Sequence, residues 1–119
     1  MKNHEDRLKD YEFLYEALAD KRGLEILALD LEDSSAVSDI FVLVTANSDI
    51  HMDTLSDAAL ETLHQHGYDT KTEGNNSTRW RLIDAGELAV HVFSKNGREF
   101  YNLEKIWRDA RSYFYSYQD

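Results

Sequence analysis

Two sets of residues in this chain have side chains that could do chemistry. The first is a scatter of carboxylates and imidazoles: Asp49 and Asp53 follow an apolar run and the small-residue turn Thr45-Ala46-Asn47-Ser48, with His51 between them and His64 and His66 further on. Such groups could hold a divalent metal if they converged. On a helix, residues two apart lie about 200° around the axis, so His64 and His66 cannot face one ion. Ser34, Ser35 and Ser38 stand near Asp33 and Asp39, but no nucleophile elbow and no base at diagnostic spacing accompanies them. The five glycines are scattered singly, and neither a phosphate loop nor a dinucleotide fingerprint is present. No catalytic residue, metal site or cofactor is expected from this set.

The second set lies between residues 80 and 107 and is the more informative. It reads Trp80-Arg81-Leu82-Ile83-Asp84-Ala85-Gly86, then Val90-His91-Val92-Phe93, then Arg98-Glu99-Phe100-Tyr101-Asn102-Leu103-Glu104 and Trp107. Large aromatics and single polar residues stand where a plain core would use aliphatics, the composition of a recognition surface. Trp80 has two readings, a core indole whose N–H finds an acceptor or an interface anchor beside Asp84. His91 reads first as a core-edge histidine bonded to the backbone or a carboxylate, and second as a protonatable interface residue. Trp107 falls on an apolar helical stripe and reads as packing, while Phe100 and Tyr101 are open to either role.

The elements that must position these groups follow from periodicity. Leu8, Tyr11, Leu14, Tyr15 and Leu18 predict one amphipathic helix over 5–20, ended before Gly23. Leu24 to Leu29 is a short apolar strand, Asp30 to Ser35 a polar loop, and Val37 to Val44 a central strand, apolar on both faces. Asn47 or Ser48 can cap a helix whose stripe is Met52, Leu55, Ala59 and Leu63, with Gly67 as its stop. Tyr68 to Thr72 reads as a strand at or near an edge, and 73–77 as a turn-rich loop. In the next strand Thr78, Trp80, Leu82 and Asp84 share one face, with Arg79, Arg81 and Ile83 on the other. A hairpin turn at 84–87 leads into Leu88 to Phe93, where Leu88, Val90 and Val92 oppose Ala89, His91 and Phe93. Asn96-Gly97 ends that strand, and Leu103, Ile106, Trp107, Ala110, Phe114 and Tyr117 predict a closing amphipathic helix. The expected fold is α/β (α+β): one layered domain over 1–119, with a mixed, roughly five-stranded sheet flanked by helices.

Composition bounds the function class. A chain of 119 residues with 42% hydrophobic residues suits one soluble domain. The absence of cysteine excludes disulfides, thiol nucleophiles and thiolate metal sites and points to a reducing cytoplasm. No signal-like or membrane-length apolar run appears, so no membrane association is expected. The net charge is −10, and no Lys or Arg occurs between Arg22 and Lys71, a span that holds ten acidic residues. Direct nucleic-acid binding by this half is not expected, because that affinity is built by cations releasing counterions. The acidity fits either a basic protein partner or a solvated face that maintains solubility.

The residues from 80 to 107 resemble the ribosomal silencing factor S family, also called Iojap-related proteins, with the pattern W-x-L-x-D-x-G-x-x-x-V-H-V-F, a short spacer, and R-x-F-Y-x-L-E-x-x-W. Upstream, Leu27-Ala28-Leu29-Asp30-Leu31, Ser38-Asp39-Ile40-Phe41-Val42, Asn47-Ser48 and Glu73-Gly74 agree as well. The family usually reads Ala-Asp-Tyr-Phe at Ser38-Asp39-Ile40-Phe41, and Arg-Gln at Ile50-His51. The resemblance implies a non-enzymatic, nucleotidyltransferase-like domain without the catalytic motif. Such a domain docks on the large ribosomal subunit through large-subunit ribosomal protein fourteen, blocks small-subunit joining and slows translation under nutrient limitation. Carried over, the contact strand is Trp80, Leu82 and Asp84, and His91, Tyr101 and Glu104 complete the expected partner-binding set. Members of the family are often dimers, but no self-complementary patch is legible here, so a homodimer stays open. The alternative is an unusual metal-dependent nucleotidyltransferase using Asp49 and Asp53. The architecture is similar, but the usual Gly-Ser turn is missing and the carboxylates are four apart rather than two.

Overall fold

A computed structural model describes residues 4–31, 39–106 and 108–115. Among the described residues six strands form one mixed sheet in the order β3-β4-β5-β2-β1-β6. They are β1 (Leu24–Asp30), β2 (Ile40–Ala46), β3 (Lys71–Glu73), β4 (Trp80–Asp84), β5 (Leu88–Ser94) and β6 (Arg111–Phe114). β2 and β5 run parallel, and every other pair is antiparallel. Among the described residues five helices accompany them: α1 (His4–Lys9), α2 (Glu12–Asp20), α3 (Asp49–Gln65), α4 (Lys95–Tyr101) and α5 (Leu103–Ile106).

Alternation sorts the sheet into two faces. Val42, Val44, Ile83, Leu88, Val90 and Val92 point to one side and join Leu14, Tyr15 and Leu18 of α2 and Met52, Leu55, Ala59 and Leu63 of α3 in the main core. The opposite side carries Leu29, Leu43 and Phe93 with Leu103, and Leu27, Phe41, Trp80, Tyr101 and Ala110 pack around them. The apolar β2 is central because both of its faces are covered. The expected division of the 88–93 strand holds, since Val90 and Val92 enter the main core while Phe93 enters the second cluster.

Three expectations need correction. The first helix is two, broken at Asp10-Tyr11 although its stripe is continuous. The Leu8 carbonyl, which a continuous helix would offer to residue 12, accepts instead from Tyr11 N–H (3.4 Å) and from the Tyr15 hydroxyl (2.6 Å). The tightened turn still leaves Leu8, Tyr11, Leu14, Tyr15 and Leu18 buried. The second correction concerns the residues after α5, where Arg111–Phe114 is a strand that pairs antiparallel with β1, setting Leu27 against Phe114 and Asp30 against Arg111. Tyr113 and Tyr115 then both reach Tyr15, at ring separations of 5.7 and 5.8 Å. A two-residue period in the tyrosines prevailed over the helical one, and the sheet gained a sixth strand. Third, Asn96-Gly97 lies inside α4 rather than ending a strand.

Other boundaries match their physical cues. The Ser48 hydroxyl caps α3 by accepting from His51 N–H at 3.0 Å. Gly67, at φ +85°, follows that helix's end. β3 lies at a sheet edge, as its polarity predicted, shifted slightly along the chain. Val37, the serine group at 34–38, Trp107 and Tyr117 lie outside the described residues.

Candidate functional site

The β4–β5 hairpin places the aromatic residues. In register, Trp80 stands opposite Phe93, Leu82 opposite His91 and Asp84 opposite Ala89. Trp80, Leu82 and Asp84 are each half-buried, whereas Arg81 and Ile83 between them are buried on the other face. The turn is fixed by Asp84 itself, whose Oδ1 accepts from Gly86 N–H at 2.9 Å, with Gly86 at φ +85° where glycine is favoured. The Ala85 N–H, donating to the Leu88 carbonyl at 2.9 Å, closes the hairpin together with this carboxylate oxygen.

Trp80 lies within a cluster of rings, 5.5 Å from Phe93, 4.6 Å from Tyr101 and 5.7 Å from His91. Its Nε1–H donates to His91 Nδ1 at 2.9 Å. His91 is only 3% exposed and packs against Phe41 at 4.4 Å. Both expected partners for this histidine, backbone and carboxylate, are replaced by an indole. Accepting at Nδ1 puts the ring proton on Nε2, a buried atom with no partner among the described residues. Burial pushes the imidazole down to about 4, so it is neutral near pH 7. It lies beneath the surface.

The remaining two predicted site residues belong to α4 and α5. Tyr101, half-buried, leans on Trp80 and Phe93. Glu104 accepts from Arg98 Nε at 2.7 Å. Arg98, 8% exposed, also donates from Nη1 to the Glu25 carbonyl (2.6 Å) and to Thr45 Oγ1 (3.0 Å). This guanidinium ties the helical segment that carries Tyr101 to the ends of β1 and β2. Ser94 caps α4 by accepting from Gly97 N–H at 2.9 Å. Gly97 permits close passage of the hairpin, since a Cβ there would sit 2.1 Å from the Arg79 carbonyl oxygen. No individual role for Arg98 followed from the sequence, where its only signal was its place at the head of the R-x-F-Y-x-L-E pattern.

The residues considered for metal chemistry are dispersed into structural duties. The Asp53 carboxylate is ion-paired with the Arg81 guanidinium, which also donates to the Ser77 carbonyl. His51 Nδ1 accepts from Asn47 N–H (2.8 Å) and its Nε2–H donates to the Lys21 carbonyl (2.7 Å), tying the start of α3 to the end of α2. His64 bonds Thr70 Oγ1, while His66 bonds the Thr62 carbonyl and stacks on Phe13 at 3.8 Å. Among the described residues no group of three or more His, Asp or Glu side chains could hold a metal ion. Nor is any of their helices long and apolar enough to cross a membrane.

Fold and site together define a small mixed-sheet α/β domain whose most prominent functional feature is an aromatic strand face. The family described as "Ribosomal silencing factor during starvation" matches residues 4–118. The ribosomal silencing factor RsfS of Bacillus subtilis is 42% identical over 95 residues, covering 79% of this chain and 80% of that protein. The RsfS of Halalkalibacterium halodurans is 36% identical, covering 79% and 81%. Among solved structures, a Chromobacterium violaceum protein superposes with a TM-score of 0.80 at 27% identity, covering 92% of this chain and 93% of that one. A Bacillus halodurans protein gives 0.72 at 31% identity, covering 83% and 93%. The chain belongs to the ribosomal silencing factor family, and it is also similar to an Iojap-related mitochondrial protein of Arabidopsis thaliana, at 27% identity over 96 residues. It is a regulator of translation by that membership.

Proposed function

We propose that this protein acts in the cytoplasm by binding the large ribosomal subunit through large-subunit ribosomal protein fourteen. Seated there, it sterically blocks joining of the small subunit and slows translation when nutrients are scarce. The observation that carries this reading is the row of Trp80, Leu82 and Asp84, half-exposed along β4 on the face opposite α2 and α3. An aromatic and an aliphatic side chain supply apolar contact, and a carboxylate at the hairpin end meets a cation of a basic partner. Tyr101 extends the apolar surface beside Trp80. Glu104 and His91 support the row from behind, through Arg98 and through the indole. The cation-free span from Gly23 to Thr70 favours contacts with protein over contacts with RNA. Asp53, the carboxylate a nucleotidyltransferase reading needs free, is already held by Arg81.

The test is sedimentation of purified subunits with the protein and its variants. Wild type should travel with the large subunit and reduce formation of the joined ribosome. Truncating an interface anchor costs on the order of 2 kcal/mol, about thirtyfold in affinity. Trp80→Ala and Asp84→Asn, which removes the charge but keeps the oxygen that accepts from Gly86 N–H, should therefore weaken docking on isolated protein fourteen and restore joining, with circular dichroism unchanged. Full-strength binding by both folded variants would remove the contact strand from the reading.

A further inference from the structure

The bond between Trp80 and His91 raises a question that core packing does not answer. A plain second cluster on this sheet face would place Phe or Leu at position 91, next to Phe41 and Phe93. The chain instead buries an imidazole with its Nε2–H unpartnered among the described residues, and burying a polar group without a partner opposes folding. What the imidazole supplies there is one acceptor, Nδ1, aimed at the indole N–H 2.9 Å away. The imidazole is itself clamped, lying 11° from parallel to Phe93 with centroids 6.1 Å apart and meeting Phe41 on the neighbouring β2. Its orientation is set by rings rather than by a second hydrogen bond.

We infer that His91 is a positioning residue for the docking strand: it holds the Trp80 indole in one orientation and consumes its only polar atom. The inference rests on the docking reading above. Two consequences follow for the partner. An anchor whose orientation is fixed beforehand loses less freedom on binding, which favours affinity without any contact from His91 itself. With Nε1–H directed into the domain, Trp80 offers its partner carbon surface alone. The complementary patch on the partner is accordingly apolar opposite Trp80, and the carboxylate of Asp84 carries the polar recognition.

The experiment compares His91→Phe, which keeps a ring and removes the acceptor, with His91→Asn, whose amide oxygen falls near the place of Nδ1. The indole ¹H–¹⁵N resonance of Trp80 is assigned with Trp107→Phe, and its solvent exchange is measured beside affinity for isolated protein fourteen. In His91→Phe the indole resonance should move, its exchange should accelerate, and affinity should fall roughly tenfold. His91→Asn should restore protection and affinity together. Weakened binding by Trp80→Ala alongside wild-type binding by His91→Phe would overturn the inference and leave the docking strand standing. Full-strength binding by Trp80→Ala would defeat the docking reading and the inference with it. If His91→Phe does not fold, His91→Asn decides: a protected indole with wild-type affinity supports the positioning role, and wild-type affinity with an unprotected indole refutes it.

Discussion

Acidification should destabilise this fold through one histidine, with a size that can be worked out. His91 titrates near 6.5 as a free side chain and is pushed down to about 4 in the folded protein, burial being the cause. Its neutral form is favoured by folding, so the contribution is fully present above the unfolded value and is lost as the pH falls from about 6.5 towards 4. Within that window the unfolded chain binds a proton that the folded one does not, and unfolding free energy declines with falling pH. The difference corresponds to about 3 kcal/mol by pH 4, at ~1.4 kcal/mol per unit. That is a substantial share of the ~5–15 kcal/mol typical of a domain. Urea unfolding followed by circular dichroism, from about pH 7 to about pH 4, measures it when wild type is compared with His91→Phe. Carboxylates also titrate near the lower limit, but they are common to both proteins and cancel in the difference of slopes. The variant should lose stability less steeply, with the two curves converging or crossing in acid. Parallel curves would show that His91 is not held neutral by burial and would refute the reasoning.

Three further outcomes are expected. Arg98→Met should cost about 3 kcal/mol in urea unfolding, because the Glu25 carbonyl, Thr45 and Glu104 all lose a charged donor, and it should loosen the segment bearing Tyr101. Gly97→Ala should lower the melting temperature and disturb the hairpin, since its methyl group would collide with the Arg79 carbonyl, at a cost of roughly 2 kcal/mol. Affinity for protein-free ribosomal RNA should be negligible at physiological salt, which filter binding would check.

Much of the fold was legible because burial on a sheet imposes a period of two and burial on a helix a period near four. Met52, Leu55, Ala59 and Leu63 on α3, and the opposed sets of β5, follow from that alone. The chain's end misled for the same physical reason. Leu103, Ile106, Ala110 and Phe114 fit a helix, while Tyr113, Tyr115 and Tyr117 fit a strand, and local pattern cannot choose between them. The choice was made by an unpaired edge of β1 and by Tyr15 beneath it, both distant in sequence. The break at Asp10-Tyr11 likewise depends on where a tyrosine hydroxyl finds its acceptor.

The site divides along a similar line. Which residues stand in a row on β4 was readable from alternation, and Trp80, Leu82 and Asp84 do share a half-buried face. How the polar groups would be occupied was not readable, because a hydrogen bond between residues 80 and 91 or 98 and 25 leaves no periodic trace. Those bonds redistribute the roles. In the proposed docking reading His91, Glu104 and Arg98 act as supports, and Trp80's two opposing readings are compatible. An indole whose N–H is satisfied inside the domain can be rigid like a core residue and still expose apolar area like an anchor. The histidine beside it in the family pattern then has a physical reason to be a histidine: at that position a donor must be met, and a phenyl ring of similar shape could not meet it.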